Sequence, residues 1–192
     1  MHAFFWLLIF VASLWVVELA DVLAKLDLDQ YGIIPRDITG LRGIPLHIFL
    51  HGDFSHLLSN TPPLIILGGL ISLRGKSRLF WGTVFITLVG GSMVWLVAGL
   101  VTGDGIHIGA SGVVFGYFGY LAARAFHERS FSSIFIAIVV IVFYGGGILI
   151  GLLPTDPRVS LEGHLFGLLA GVTYAGIVGR QDRDVKKSEQ GD

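Results

Sequence analysis

Cysteine is absent from this chain. That absence excludes a disulfide framework, a thiolate metal site and a cysteine nucleophile. Charge is scarce too: 14% of the 192 residues are Asp, Glu, Lys or Arg, against roughly 25% in soluble domains. The few charges almost cancel, at a net −1. No basic stripe interleaves with aromatics, so nucleic acid is not an expected partner. No HExxH motif occurs, which removes the usual zinc-protease arrangement. An aspartyl site inside a membrane would need two intramembrane aspartates. The chain offers only Asp21, at the edge of an apolar run, and Asp104, in the loop-like "VTGDG". Neither a metal nor a cofactor is expected.

What the chain has is apolar sequence in long runs, with 53% hydrophobic residues and 27 glycines. Six runs lie near residues 3–24, 55–73, 79–100, 110–126, 133–153 and 161–179. Each is near the length of about 20 residues that a helix needs to cross a bilayer. The first lacks a basic leader and is too long for a signal core, so it reads as a retained helix. The expected fold is an all-α membrane protein of six transmembrane helices. The expected organisation is one membrane domain over residues 1–180 and a polar tail over 181–192, with no soluble domain on either side.

Nine of the 13 Lys and Arg residues fall on one side of this topology. They are Arg74, Lys76, Arg78, Arg124, Arg129, Arg180, Arg183, Lys186 and Lys187. Lys25, Arg36, Arg42 and Arg158 fall on the other. The positive-inside rule then puts both termini in the cytoplasm. The second, fourth and sixth spans all start on the outer side. The connection between the first two spans is long and carries "GIPLHIFLH". It is too apolar for disorder and is expected to fold into the outer leaflet.

The three parallel spans each open with a polar group. The second begins "SHLLSN", with His56 and Asn60 four residues apart on one helix face. The fourth opens at "HIGASGVVFG", where Ser111 stands between Gly109 and Gly112. The sixth begins "SLEGHLFGLLAG", with His164 one turn inside. Polar groups at membrane depth face the protein interior or a water-filled cavity. Gly112-x-x-x-Gly116 and Gly163-x-x-x-Gly167-x-x-x-Gly171 are small-residue faces that let two helices cross closely. Such a crossing would bring Ser111 and His164 within hydrogen-bond reach. A serine at a helix start is, taken alone, more often a cap than a nucleophile. The coincidence of four polar groups at one depth favours chemistry. The N-terminus of the fourth helix would add free N–H groups for an oxyanion.

These residues resemble the rhomboid family of intramembrane serine proteases. "GASG" resembles the family's GxSG nucleophile motif, on Gly109, Ser111 and Gly112. "GHLFGLLAG" resembles its HxxGxxxG motif, on His164, Gly167 and Gly171, and "HGDFSHLLSN" resembles its second-helix signature, on His56 and Asn60. The resemblance implies a six-helix bundle that cleaves transmembrane substrates near the outer face. Ser111 would be the nucleophile and His164 the base, in a dyad without an acid. His56, Asn60 and the Ser111 N–H would form the oxyanion hole. Phe115 stands where many members have Tyr and is expected to pack under His164. The setting implied is an inner membrane of a prokaryote, with the bilayer and transmembrane substrates as partners; an oligomeric state is not readable.

Other residues receive plainer expectations. His51 is expected to make a structural hydrogen bond, and His107 is a minor alternative base. Glu162 is expected to face water. Pro62 and Pro63 should bend the second helix. The glycines of "YGGG", residues 144–147, mark either a mobile stretch of the fifth helix or a close contact. The competing functions are an inactive rhomboid-like substrate binder or chaperone, and a transporter using histidines as proton carriers. Transporters commonly show paired repeats, and none is evident.

Overall fold

The computed structural model describes residues 2–99, 105–153 and 159–190; Asp104 and Arg158 lie outside them. Six long helices account for the six apolar runs. They are α1 (His2–Ala24), α2 (Phe54–Ser72), α3 (Lys76–Val97), α4 (Ser111–Glu128), α5 (Phe131–Gly151) and α6 (Leu161–Gln190). All but α4 are long and apolar enough to cross a membrane by length and composition. The shorter α4 carries Arg124 and forms the buried centre of the bundle.

α4 and α6 form the tightest pair. A methyl group on Gly167 would overlap the carbonyl of Gly112, and one on Gly171 would overlap the carbonyl of Gly116. A methyl on Gly112 would lie 3.2 Å from the Gly163 carbonyl oxygen, and one on Gly116 would lie 3.0 Å from that of Gly167. Contacts advance together along both helices, from Gly112 with Gly163 to His127 with Gly179, so the two run parallel. α2 runs the same way against α4: His56 packs on Gly109, and Gly68 on Tyr117. The three helices therefore share the polarity that the loop charges imply.

Leu7 and Leu14 of α1, Leu57, Leu64 and Leu67 of α2, and Val113, Tyr117 and Tyr120 of α4 fill the core. Thr83 donates its hydroxyl to the Leu79 carbonyl, so the 2.6 Å contact with Tyr117 is donated by the buried tyrosine. α3 contains one π-turn, Ile86–Gly90, facing the α4–α6 pair; such turns recur at functional sites. α2 stays helical through Pro62 and Pro63, and Thr61 between α1 and the prolines accepts from the Trp15 indole at 3.1 Å. α1 and α5 expose Phe5, Trp6, Phe135, Val142 and Phe143. Such an apolar surface suits lipid rather than water.

The long first connection folds into short helical turns, including Leu28–Tyr31, Ile38–Arg42 and His47–Phe49. It leaves Ile38, Leu41 and Leu46 exposed, as a loop lying in a membrane interface would. It is stitched to the segment before α4. Ile33 and His107 exchange backbone hydrogen bonds at 3.0 and 2.9 Å, and Gly109 N–H donates to the His47 carbonyl at 2.8 Å. The last helix does not stop near residue 179: α6 continues to Gln190 across the expected boundary at 180. Just past that boundary, Asp182 forms ion pairs with Arg78 and Arg124.

Candidate active site

Ser111 is the first residue of α4, and the capping position belongs to Ala110, which has no side-chain cap. The Ser111 hydroxyl makes no hydrogen bond with any described residue. The capping explanation therefore fails here. The contrast with Ser160 is direct: its hydroxyl accepts the Gly163 N–H at 2.9 Å and caps α6. The first N–H groups of α4 have no acceptor within the helix and point positive charge density toward this end. Gly109 has φ of +109°, where an L side chain is strained. A methyl there would also lie 2.7 Å from the His56 ring.

His164 is buried, with 7% exposure. Its Nδ1 is 2.8 Å from the Gly151 carbonyl. A carbonyl only accepts, so Nδ1 carries the proton and Nε2 keeps its lone pair. Phe115 stacks on the imidazole, with centroids 3.9 Å apart and planes 13° from parallel. That stacking meets the expectation for Phe115. His164 and Ser111 are not hydrogen-bonded to each other in this state. The expected contact is absent although the helices cross as expected; such pairs commonly close only around bound substrate.

His56 packs edge-on against His51, with centroids 5.1 Å apart. Its Nε2 lies 2.9 Å from where a Gly109 methyl would sit, two residues before Ser111. Asn60, one turn along α2, is buried, and its amide nitrogen has no partner among the described residues. His51 accepts the Ala110 N–H on Nε2 at 3.3 Å. Burial pushes the His51 imidazole down to about 4, so it is neutral and able to accept at pH 7. Its role as a structural hydrogen-bonding residue matches expectation.

A narrow recess adjoins Ser111, lined among others by Gly112, Gly163, Gly167, Thr87, His107 and Ser160. His107 and Ser160 are 2.7 Å apart. Glu162, expected in water, is 4% exposed. Helical periodicity turned it away from His164, but that direction leads into protein near His107, not to solvent. Burial lowers the His107 pKa, and Glu162 opposes that shift. Gly146 and Gly147 of α5 meet no atom within 4 Å, so the close-contact reading of that run does not hold. Gly151 is the α5 glycine that packs closely, with a methyl there 2.6 Å from Phe115 and 3.2 Å from His164.

Sequence reasoning missed Gly151, Thr87 and Ser160. Gly151 acts through its carbonyl, for which no residue type is a signal. Ser160 had a readable signal, a serine three residues before Gly163 at a helix start.

The Rhomboid domain family model matches residues 40–181. The uncharacterised Mycobacterium tuberculosis protein Rv1337 is 40% identical over 185 residues, covering 94% of this chain and 77% of its own. The uncharacterised Mycobacterium leprae protein ML1171 is 36% identical over the same length, covering 94% and 73%. The Arabidopsis thaliana RHOMBOID-like protein 5 is 29% identical over 129 residues, covering 65% and 40%. The fold and these matches define an integral membrane protein with a rhomboid-type bundle. This chain belongs to the rhomboid family.

Proposed function

We propose that this chain is an intramembrane serine endopeptidase that cuts transmembrane segments of other membrane proteins. One observation carries the reading. Ser111 heads its helix with an uncommitted hydroxyl, while His164 has committed its Nδ1 proton to Gly151 and kept Nε2 free. A nucleophile and a base of the correct tautomer are thus held on two helices in backbone contact.

In this reading Ser111 Oγ attacks the scissile carbonyl carbon while His164 Nε2 takes the hydroxyl proton. The new oxyanion is met by the Ser111 N–H, His56 and Asn60. Collapse expels the amine, which leaves with the proton from His164, and an acyl-serine remains. Water then attacks the acyl carbon, His164 takes its proton and returns it to Ser111 Oγ, and the carboxylic product departs. The Gly151 carbonyl orients the imidazole, which explains how a dyad works without an acidic third member. The charge asymmetry of the loops supports cytoplasmic termini and a site opening to the outer side.

The test is cleavage of a panel of transmembrane substrates by reconstituted protein, with Ser111→Ala as control. Cleavage by the wild type alone supports the reading. No cleavage by folded wild type, with substrate still bound, supports an inactive substrate binder instead.

A further inference from the structure

Ser111 and His164 reach the site on separate stretches of chain. The stretch before Ser111 is tied to the long first connection: His107 exchanges two backbone hydrogen bonds with Ile33, and Gly109 N–H donates to the His47 carbonyl. The stretch before His164 is organised by Ser160. Its hydroxyl accepts the Gly163 N–H at 2.9 Å, and its carbonyl accepts the His164 N–H at 3.1 Å. None of these bonds sets one stretch against the other. The contact between His107 Nδ1 and Ser160 Oγ, at 2.7 Å, does. It joins the residue four before Ser111 to the residue four before His164.

The protons in this contact can be placed. Ser160 Oγ already accepts from Gly163, so its own hydrogen is free for His107 Nδ1. The ring can accept it because burial favours the neutral form, against the opposing influence of Glu162. With its acceptor nitrogen engaged, His107 is poorly placed to serve as the base. One such bond adds little to a bundle whose α4 and α6 already touch through their backbones. Its weight falls on alignment. Ser111 and His164 are not bonded to each other, so their separation is set by whatever holds the two stretches. A shift near 1 Å in a reacting group costs about 10²-fold in rate.

Resting on the endopeptidase reading, we infer that His107 and Ser160 are positioning residues, joined as a latch that sets the spacing of Ser111 and His164.

The experiment uses full-length protein in proteoliposomes and one transmembrane substrate that the wild type cleaves. His107→Phe breaks the latch and leaves the Ser160 cap in place. It should lower kcat by about tenfold to 10²-fold with KM little changed. Labelling of Ser111 by a fluorophosphonate should slow by a similar factor, since misalignment acts without a transmembrane substrate. His107→Asn, whose side-chain oxygen can stand in for Nδ1, should recover most of the loss. In a Ser160→Ala background, His107→Phe should cost little more. If His107→Phe does not fold, Ser160→Ala against Ser160→Thr, which keeps the hydroxyl, gives the same reading: Thr should retain more of kcat than Ala. Wild-type kcat and labelling in folded His107→Phe, or equal kcat in the two Ser160 variants, overturns the inference and leaves the endopeptidase reading standing. So do additive losses at the two positions, or a raised KM at unchanged kcat, which would make His107 a substrate contact. Failure of the wild type to cleave any of the wider panel overturns the endopeptidase reading and this inference with it.

Discussion

At one end of the α4–α6 pair, Arg124 is bonded to Glu128 and Asp182, Arg78 also to Asp182, and Arg74 to Glu128 at 2.9 Å. At the other end, Ser111, His164, His56 and Asn60 make no ion pair among the described residues, and Asn60 keeps an unpartnered amide nitrogen. The same two helices thus run from an ionic end that ties α3, α4 and α6 together to an end whose four polar site residues make no ion pair among the described residues and which is held by glycine contacts and carbonyl hydrogen bonds. Under the proposed endopeptidase function, the difference follows from what each end must do. Ion pairs fix helices but bring charge that perturbs every nearby titration. A serine nucleophile needs a neutral base and donors that are free until charge develops in the transition state.

The sharpest test of that contrast removes the reactive pair. Ser111→Ala and His164→Ala should each lower cleavage by about 10³-fold or more while leaving the bundle folded, and the double variant should be no worse than either single one. Additive losses, read from kcat/KM, would mean that the two act in separate steps.

Next come the glycines that align the ends. Gly167→Val and Gly171→Val force side chains into the carbonyls of Gly112 and Gly116. A shift near 1 Å costs about 10²-fold in rate. Intact turnover in both variants would refute the view that backbone contact between α4 and α6 sets the site.

The donors should matter less. Asn60→Ala and His56→Ala should each reduce kcat by about 10²-fold or less with KM little changed, because several donors share the oxyanion. Wild-type kcat in both would make them packing residues.

At the ionic end the effect should be on stability instead. Asp182→Asn weakens bonds to two arginines and should cost about 1–3 kcal/mol, seen as a lower melting temperature in detergent, with kcat of the folded fraction near that of wild type. A large loss of kcat at unchanged stability would erase the distinction between the ends.

The last effect is a pH dependence, small near neutral pH. Burial, then neighbouring His56, depresses the His51 pKa from 6.5 to about 4. Folding therefore favours the neutral ring. Its contribution is complete above pH 6.5 and is lost as pH falls toward 4. Thermal stability should decline across that window, and His51→Gln should flatten the decline.

Much of the end that carries Ser111 and His164 was legible in sequence because its parts are side chains with distinctive chemistry at helix starts. Ser111, His164, His56 and Asn60 announced themselves by being polar where polarity is costly, and Gly167 and Gly171 by their spacing. The remainder was hidden for physical reasons. Gly151 contributes a main-chain carbonyl. Glu162 obeyed helical periodicity, but periodicity gives direction and not what lies there. Within the polar tail expected over 181–192, the pairing of Asp182 was not legible because its arginines lie on α3 and α4, about 100 and 60 residues away in sequence. The resting distance between Ser111 and His164 depends on helix placement finer than any motif encodes.

The central claim is that Ser111, at the start of α4, is a nucleophile activated by His164 and not a helix cap. The most direct measurement is mass spectrometric mapping of the adduct formed when the reconstituted protein reacts with a fluorophosphonate. One covalent adduct is expected, on Ser111, which disappears in Ser111→Ala and falls sharply in His164→Ala. An unmodified Ser111 in folded wild-type protein, or equal labelling in His164→Ala, would contradict it.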